Sequence, residues 1–421
     1  MKNLKIAVIG AGSPYTPELV GGLASRGAEI NADEISLFDI DAKRLETIAA
    51  FCARYAARLK FTAKINAAKN LEEALHGADY VVTQIRVGGN RQRVFDEKIP
   101  GSFGLIGQET TGAGGAMKAL RTIPVMLGIA KKMENYCPGA FIVNYANPTG
   151  MVTEAVTRFG RTRIAGLCSG GLFPEMWAQK ALGISPGRLG FDYFGLNHMN
   201  FTFNIKIDGK NITDEQFESM AKQNPAVDAG LAKILGAIPS PYLQYFFHRQ
   251  RCIAQQKEAA QTRGEQVVEL EKEIFDAFAE RNREEIPEAL SRRGGGGYSE
   301  VAAKFICASE DRAGAEMVLN APNNGAVSFL PHNAVVETVC NVNERECAPL
   351  KNIKVPPPCV GLIAAVKNYE QLAVEAAVEG CEKKLTQAFA AHPLIADYGI
   401  IKKMIPELLE ANKEYLPQFY K

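Results

Sequence analysis

The chain has 421 residues, 47% of them hydrophobic and 23% charged, with a formal net charge of +1. That length exceeds one ordinary compact core and predicts two closely packed subdomains. The balanced charge excludes a nucleic-acid footprint and a polybasic membrane contact, and no apolar run reaches the ~18–20 residues that span a bilayer. The opening run up to Ile9 is too short for a signal-peptide core. The nine cysteines are scattered without a C-x-x-C pair, so the sequence predicts a reduced, cytoplasmic protein.

Residues 4–9 (LKIAVI) form a short apolar run ending in glycine, the pattern of a buried parallel strand. Gly10-Ala11-Gly12-Ser13 follows, and a helix is expected to open with Thr16 as N-cap and Pro17 at its first position. A second strand over 34–38 ends at Asp39, and residues 41–59 are apolar at helical spacing. Strands are predicted over 79–85 and 140–144, and a strand-like run over 164–167 ends at Cys168. Strands alternating with helices predict a doubly wound, mostly parallel sheet. The second half differs. Residues 200–208 alternate like an antiparallel strand, 254–283 read as one long charged helix, and Gly294–Gly297 as a loop. Residues 360–390 and 400–413 carry apolar residues at helical spacing, which suits a homo-oligomer interface or core packing. The expected class is therefore α/β. A Rossmann-type doubly wound sheet occupies residues 1–165, and an α+β catalytic, metal-binding and oligomerisation domain occupies 166–421.

Between a strand and a helix, Gly10, Gly12 and Ser13 would let a pyrophosphate approach a helix N-terminus, where N–H groups and the dipole favour anions. Asp39 would accept hydrogen bonds from ribose hydroxyls, which favours NAD over NADP. The third glycine of the usual fingerprint falls on Tyr15. The alternative is a tight βα turn with Asp39 capping the next helix. Cys168 and His198 are candidates for a divalent-cation site at the carboxyl edge of the sheet, or else core residues. Tyr242 lies in the aromatic cluster Pro241–Phe247. It becomes a base only if its pKa falls well below ~10, as beside a cation; otherwise the cluster is a packed helix face.

Taken together, the segments GAGSPYTPEL (10–19), IRVGG (85–89), DEKIP (96–100), GQETTG (107–112), NYANP (144–148), GLC (166–168), GLNH (195–198), YLQY (242–245) and YSE (298–300) make the chain resemble glycoside hydrolase family 4. These are NAD- and metal-dependent glycosidases, and the resemblance is nearest to the 6-phospho-β-glucosidase branch. It covers nearly the whole chain and accounts for Tyr15, because the family's glycine loop continues as Ser-x-Tyr/Phe-Thr-Pro. It implies that Cys168 and His198 hold a divalent metal, usually manganese, although a thiolate and manganese are a soft–hard mismatch. It implies that Tyr242 is the base and that Arg93, Asn147 and Arg263 contact a phosphorylated glycoside. The implied reaction is oxidation at sugar carbon 3 by NAD, metal-assisted elimination across carbons 1 and 2, water addition and re-reduction, outside the two-carboxylate rule of other glycosidases. The implied assembly is a homodimer or homotetramer, with no nucleic-acid or membrane partner. One departure stands out: Ser169-Gly170-Gly171 follows Cys168, where the family carries Asn or Asp and then Val/Met-Pro. Three alternatives remain open. The same machinery could act on a 6-phospho-α-glucoside, α-galactoside or uronide. The chain could be an NAD-dependent 2-hydroxy-acid dehydrogenase, or a non-catalytic NAD-binding regulator.

Overall fold

The computed structural model describes residues 3–294 and 296–420, so Met1, Lys2, Lys421 and Gly295 of the tetraglycine run lie outside the described residues. Six short strands come first: β1 (Leu4–Ile9), β2 (Ala32–Phe38), β3 (Lys64–Ala67), β4 (Tyr80–Thr83), β5 (Phe141–Asn144) and β6 (Arg163–Gly166). Seven follow: β7 (Leu189–Leu196), β8 (Met199–Ile207), β9 (Lys210–Asn211), β10 (Ile238–Pro239), β11 (Ala315–Pro322), β12 (Val335–Asn343) and β13 (Glu346–Pro349). Among the described residues they form one sheet, in the order β10-β8-β7-β12-β11-β6-β5-β4-β1-β2-β3, with β9 on β8 and β13 on β12.

The first six strands are all parallel, ordered 3-2-1-4-5-6, the arrangement of a Rossmann fold. Their central members are apolar throughout because helices cover both faces of a parallel sheet. Tyr80, Val81, Val82, Ile142 and Val143 are fully buried. The sheet then continues into antiparallel strands through a seam of one residue pair, Asn320 on β11 against Gly166 on β6. Carboxyl ends of parallel strands and the ends of antiparallel hairpins therefore lie along one continuous sheet.

One core face is formed by helices Gly112–Tyr136, Thr149–Phe159, Pro357–Glu379 and Tyr398–Asn412, and the other includes helices Thr16–Ser25 and Tyr298–Glu310. The C-terminal apolar residues Ile363, Tyr369, Phe389, Met404 and Leu408 are buried within the single chain, so core packing accounts for their spacing. No helix among the described residues is long and apolar enough to cross a membrane.

Several sequence expectations need correction. Thr16 is not an N-cap: it is the first helical residue, and its hydroxyl donates back to Ala11 O at 2.8 Å. The expected helix over 254–283 is two helices, Arg249–Glu258 and Arg263–Ala279. Thr262 and Glu265 form a capping box that starts the second, a local signal stronger than the charge pattern. Likewise 360–390 breaks at Gly380, whose φ of 68° ends helix Pro357–Glu379 before Glu382–Ala391 begins.

Candidate active site

The nucleotide candidates form one compact turn at the carboxyl end of β1. Gly10 has φ +86°, and its N–H and that of Ala11 both donate to Phe38 O at the end of β2. Gly12 N donates to Asp39 Oδ2 at 2.8 Å, and a Cβ on Gly12 would lie 2.8 Å from that same oxygen. Only glycine permits this approach. Asp39 Oδ1 accepts from Asp41 N at 2.9 Å, while Asp41 itself caps helix Ala42–Arg58 through Arg44 N. Asp39 is therefore not the cap, and its carboxylate keeps lone pairs for further donors. Ser13 Oγ accepts from Tyr15 N at 3.3 Å. The turn sits beside the boundary between β1 and β4, where the strand order reverses, and its residues fit a dinucleotide.

Cys168, His198 and Tyr242 come together from three separate elements. Asn197 and His198 are the two-residue turn of the β7–β8 hairpin, with Leu196 paired to Met199 and His198 at φ 65°. The turn is anchored from below by Glu337 on β12. This fully buried carboxylate accepts from Asn200 Nδ2 at 2.5 Å, Asn320 Nδ2 at 3.1 Å, Asn197 Nδ2 at 3.3 Å and Tyr193 OH at 3.5 Å. Burial pushes its carboxyl up to about 7 against these donors. The Asn197 amide also donates to the Cys168 thiol, which ties the hairpin to the end of β6. Gly170 N points at Cys168 Sγ at 3.4 Å. Tyr242, in the turn Pro241–Leu243, stacks flat on the His198 ring, with centroids 3.8 Å apart and planes within 2°.

The histidine tautomer follows from the hydrogen-bond pattern. Thr110 Oγ1 donates its proton to Gln108 Oε1 at 2.9 Å, so it accepts from His198 Nδ1 at 2.8 Å. That leaves the lone pair on Nε2, the arrangement of a metal-binding imidazole with its other nitrogen oriented by a hydrogen bond. Burial also pulls the imidazole down to about 4, which keeps it neutral. Burial, and then Glu337, push the Cys168 thiol up to about 12. A cation would reverse this and hold the thiolate. Gly170 N–H and the Asn197 amide face the sulfur as donors, which favours a thiolate against the Glu337 charge. Among the described residues no third Cys, His, Asp or Glu completes a metal-binding group. A sulfur and an imidazole nitrogen would leave the remaining positions of a divalent cation open, as catalytic sites require.

A charged cluster lies against this group. Glu109 is paired with Arg86, with Lys118 at 2.7 Å and with Arg93 at 3.0 Å. Burial alone would raise its carboxyl, but Arg86, Lys118 and Arg93 together hold it well below the ordinary range. Burial and Arg86 pull the Lys118 ammonium down to about 7 against Glu109. Arg93 also bonds Glu97 at 2.8 Å. Asn147, just before a cis Pro148, bonds Tyr145 O and Thr149 at the start of helix Thr149–Phe159, which packs on Asn197. Arg263 lies apart. It is exposed, and its hydrogen bonds go to Gln266 and to the carbonyls of Arg292 and Arg293. Its neighbour Gly264 reaches this cluster through Glu97 Oε2 at 2.7 Å. Lys118, Glu337, Asn200 and Asn320 were missed by sequence reasoning. After Cys168, Ser169–Leu172 forms a tight turn pressed on β11, where a Cβ on Gly171 would lie 2.6 Å from Val318 Cβ.

The model of the family 4 glycosyl hydrolases matches residues 5–184, and that of their C-terminal domain matches residues 193–395. A probable 6-phospho-beta-glucosidase of Bacillus subtilis is 36% identical over 435 aligned positions, covering 100% of this chain and 98% of the relative. The solved 6-phospho-beta glucosidase of Thermotoga maritima, with NAD and glucose-6-phosphate, superposes with a TM-score of 0.92 at 33% identity, covering 98% and 99% of the two chains. A second form of that enzyme carries manganese as well and gives 0.91 at 33% identity, with the same coverage. Malate dehydrogenase of Plasmodium falciparum, at 13% identity and TM-score 0.51 over 92% of this chain and 99% of its own, shares the fold alone.

Proposed function

Because the chain belongs to glycosyl hydrolase family 4, we propose that it hydrolyses 6-phospho-β-glucosides with NAD and a divalent cation, most commonly manganese, as catalytic cofactors. The observation that carries this is the joining of a dinucleotide turn, in one continuous sheet, to a Cys168–His198 pair whose Nε2 lone pair is left available. When bound, NAD supplies hydride exchange at sugar carbon 3, and the cation supplies Lewis acidity for the charge that develops on the oxygens of carbons 2 and 3. Gly10, Gly12, Ser13 and Asp39 bind the dinucleotide. Cys168 and His198 hold the cation, with Thr110 and Asn197 orienting them. Tyr242, held flat on His198, takes the carbon-2 proton as general base. Arg93, Asn147 and Arg263 position the phosphorylated sugar; for Arg263 this means leaving the carbonyls it now bonds.

Two features argue against a 2-hydroxy-acid dehydrogenase on the same fold: the thiol–imidazole pair and the stacked tyrosine, which hydride transfer alone does not use. The turn Ser169–Leu172 favours a second reading, the same machinery acting on another glycoside. Ser169 is a poor general acid, and a Cβ on Gly297 would lie 3.6 Å from the Ser169 Cβ. Support for a cytoplasmic location comes from nine free cysteines. For a homodimer or homotetramer, the C-terminal half offers Met176 and Ile234, apolar side chains 59% and 78% exposed. Paired β- and α-nitrophenyl 6-phosphoglucosides, with NAD and manganese and with or without chelator, test the function. Release from the β-substrate that chelator abolishes is expected. Release from the α-substrate alone, or indifference to NAD and metal, contradicts it.

A further inference from the structure

The glycine turn spends its own donors internally. From Gly10 to Pro17, Gly10 and Ala11 donate to Phe38 O, Gly12 to Asp39, Ser13 to Gly10 O, Tyr15 to Ser13 Oγ and Thr16 to Ser13 O, while Pro14 and Pro17 have no N–H. A dinucleotide diphosphate carries two negative charges and needs strong donors at this place.

The missing donor comes from the other half of the chain. The Arg293 side chain is 8% exposed, and its guanidinium carbon lies 4.8 Å from the centroid of the Tyr15 ring, within the glycine turn. Its Nη2 bonds Glu271 Oε1 at 3.3 Å, but its Nε is buried and has no partner among the described residues. A buried guanidinium N–H without an acceptor is costly and points to an acceptor supplied by a ligand. Glu271 also holds Arg44 at 3.2 Å and Asn90 Nδ2 at 2.9 Å, and Arg44 Nε donates to Gly12 O at 3.1 Å. Arg44 and Arg293 thus share the single carboxylate of Glu271, which fixes both guanidiniums beside the turn. Arg44 and Glu271 also line a surface cavity with Asn90 and Phe275. The segment after Arg293 is clasped to the same turn: Tyr15 OH donates to Gly294 O, and Gly297 N donates to Glu18 Oε1 at 3.1 Å.

We infer that Arg293 is a ligand of the cofactor diphosphate, delivered from the C-terminal half onto the glycine turn and held in place by Glu271. This rests on the NAD requirement proposed above.

Isothermal titration of NAD+ and, separately, of glucose 6-phosphate into the wild-type chain, Arg293→Ala and Arg293→Lys tests the assignment. Circular dichroism and ligand-free thermal melts confirm that the variants fold. Arg293→Ala should raise the NAD+ dissociation constant at least about tenfold and flatten its salt dependence, with glucose 6-phosphate binding within about twofold of wild type. Arg293→Lys should fall between the two, and it serves alone if the alanine variant folds poorly. Wild-type NAD+ affinity in Arg293→Ala overturns the assignment while leaving the proposed function intact. So does a loss confined to glucose 6-phosphate, which would move the guanidinium to the sugar phosphate. A wild-type chain that binds no NAD+ overturns both.

Discussion

The nucleotide turn and the Cys168–His198 site share one sheet but are built in opposite ways. The turn is made mostly of backbone: the N–H groups of Gly10, Ala11, Ser13 and Thr16 donate to main-chain carbonyls, and Gly12 permits the close pass of Asp39. The second site is made of side chains from five stretches far apart in the chain, namely 108–110, 168, 197–200, 320–337 and 242. The difference teaches that the dinucleotide site stands or falls with local conformation. The metal and base site depends instead on long-range amide bonds to one buried carboxylate. Perturbing either should leave the other largely in place.

The largest effect should come from the side-chain site. Cys168→Ser, or His198→Ala, should lower kcat by about three orders of magnitude or more, since several kcal/mol of charge stabilisation is lost with the cation. NAD+ affinity, measured by titration, should stay within a few-fold of wild type. Equal loss of NAD+ affinity would break the separation of the two sites.

The reciprocal change is Gly12→Ala. Its Cβ would meet the Asp39 carboxylate at 2.8 Å, so the turn must open. NAD+ affinity should fall by roughly a hundredfold, about 2.7 kcal/mol, while manganese binding followed by electron paramagnetic resonance is retained.

Next in size is Glu337→Ala. It strands the amides of Asn197, Asn200 and Asn320 and the Tyr193 hydroxyl, at a cost of roughly 2–4 kcal/mol. Urea unfolding should show it, and Glu337→Gln should recover much of the loss. A variant as stable as wild type would mean that the hairpin does not need its anchor.

A further effect, confined to acid pH, concerns His392. Burial pulls His392 down to about 3, where it packs edge-on to Tyr369 and accepts from Leu394 N at 3.2 Å. Above the unfolded value near 6.5, both states are neutral and its stabilising contribution is fully present. As the pH falls from there towards 3, the unfolded chain takes up a proton that the folded chain refuses. Stability should then drop by up to about 1.4 kcal/mol per pH unit from this group. His392→Asn keeps an acceptor for Leu394 and should flatten that part of the profile of thermal midpoint against pH.

The same contrast governs what could be read from the sequence. The apolar run of β1, the glycines, and Asp39 at the end of β2 are local signals, and they led directly to the parallel sheet and the nucleotide turn. The helix breaks at Thr262 and Gly380 were equally local but were masked by a continuous apolar and charged pattern. Glu337, Asn200 and Asn320 could not be read in this way. A carboxylate and two amides inside strands look like solvent-facing residues until their mutual hydrogen bonds are seen. Lys118 is likewise a surface residue by type, buried only because Glu109 meets it. For Cys168, His198 and Tyr242, physical reasoning favoured core packing over a ligand or base role, and only the family resemblance pointed to the latter. The hydrogen bonds of Thr110 add an independent argument in the tautomer of His198.

The claim on which all this depends is that Tyr242 removes the proton from carbon 2 of the sugar while the glycosidic bond breaks. Hydrolysis of a 6-phospho-β-glucoside in deuterium oxide, followed by proton NMR of the released sugar phosphate, tests it directly. Deuterium incorporated at carbon 2 is the predicted result. A product that keeps its carbon-2 proton throughout would contradict the mechanism.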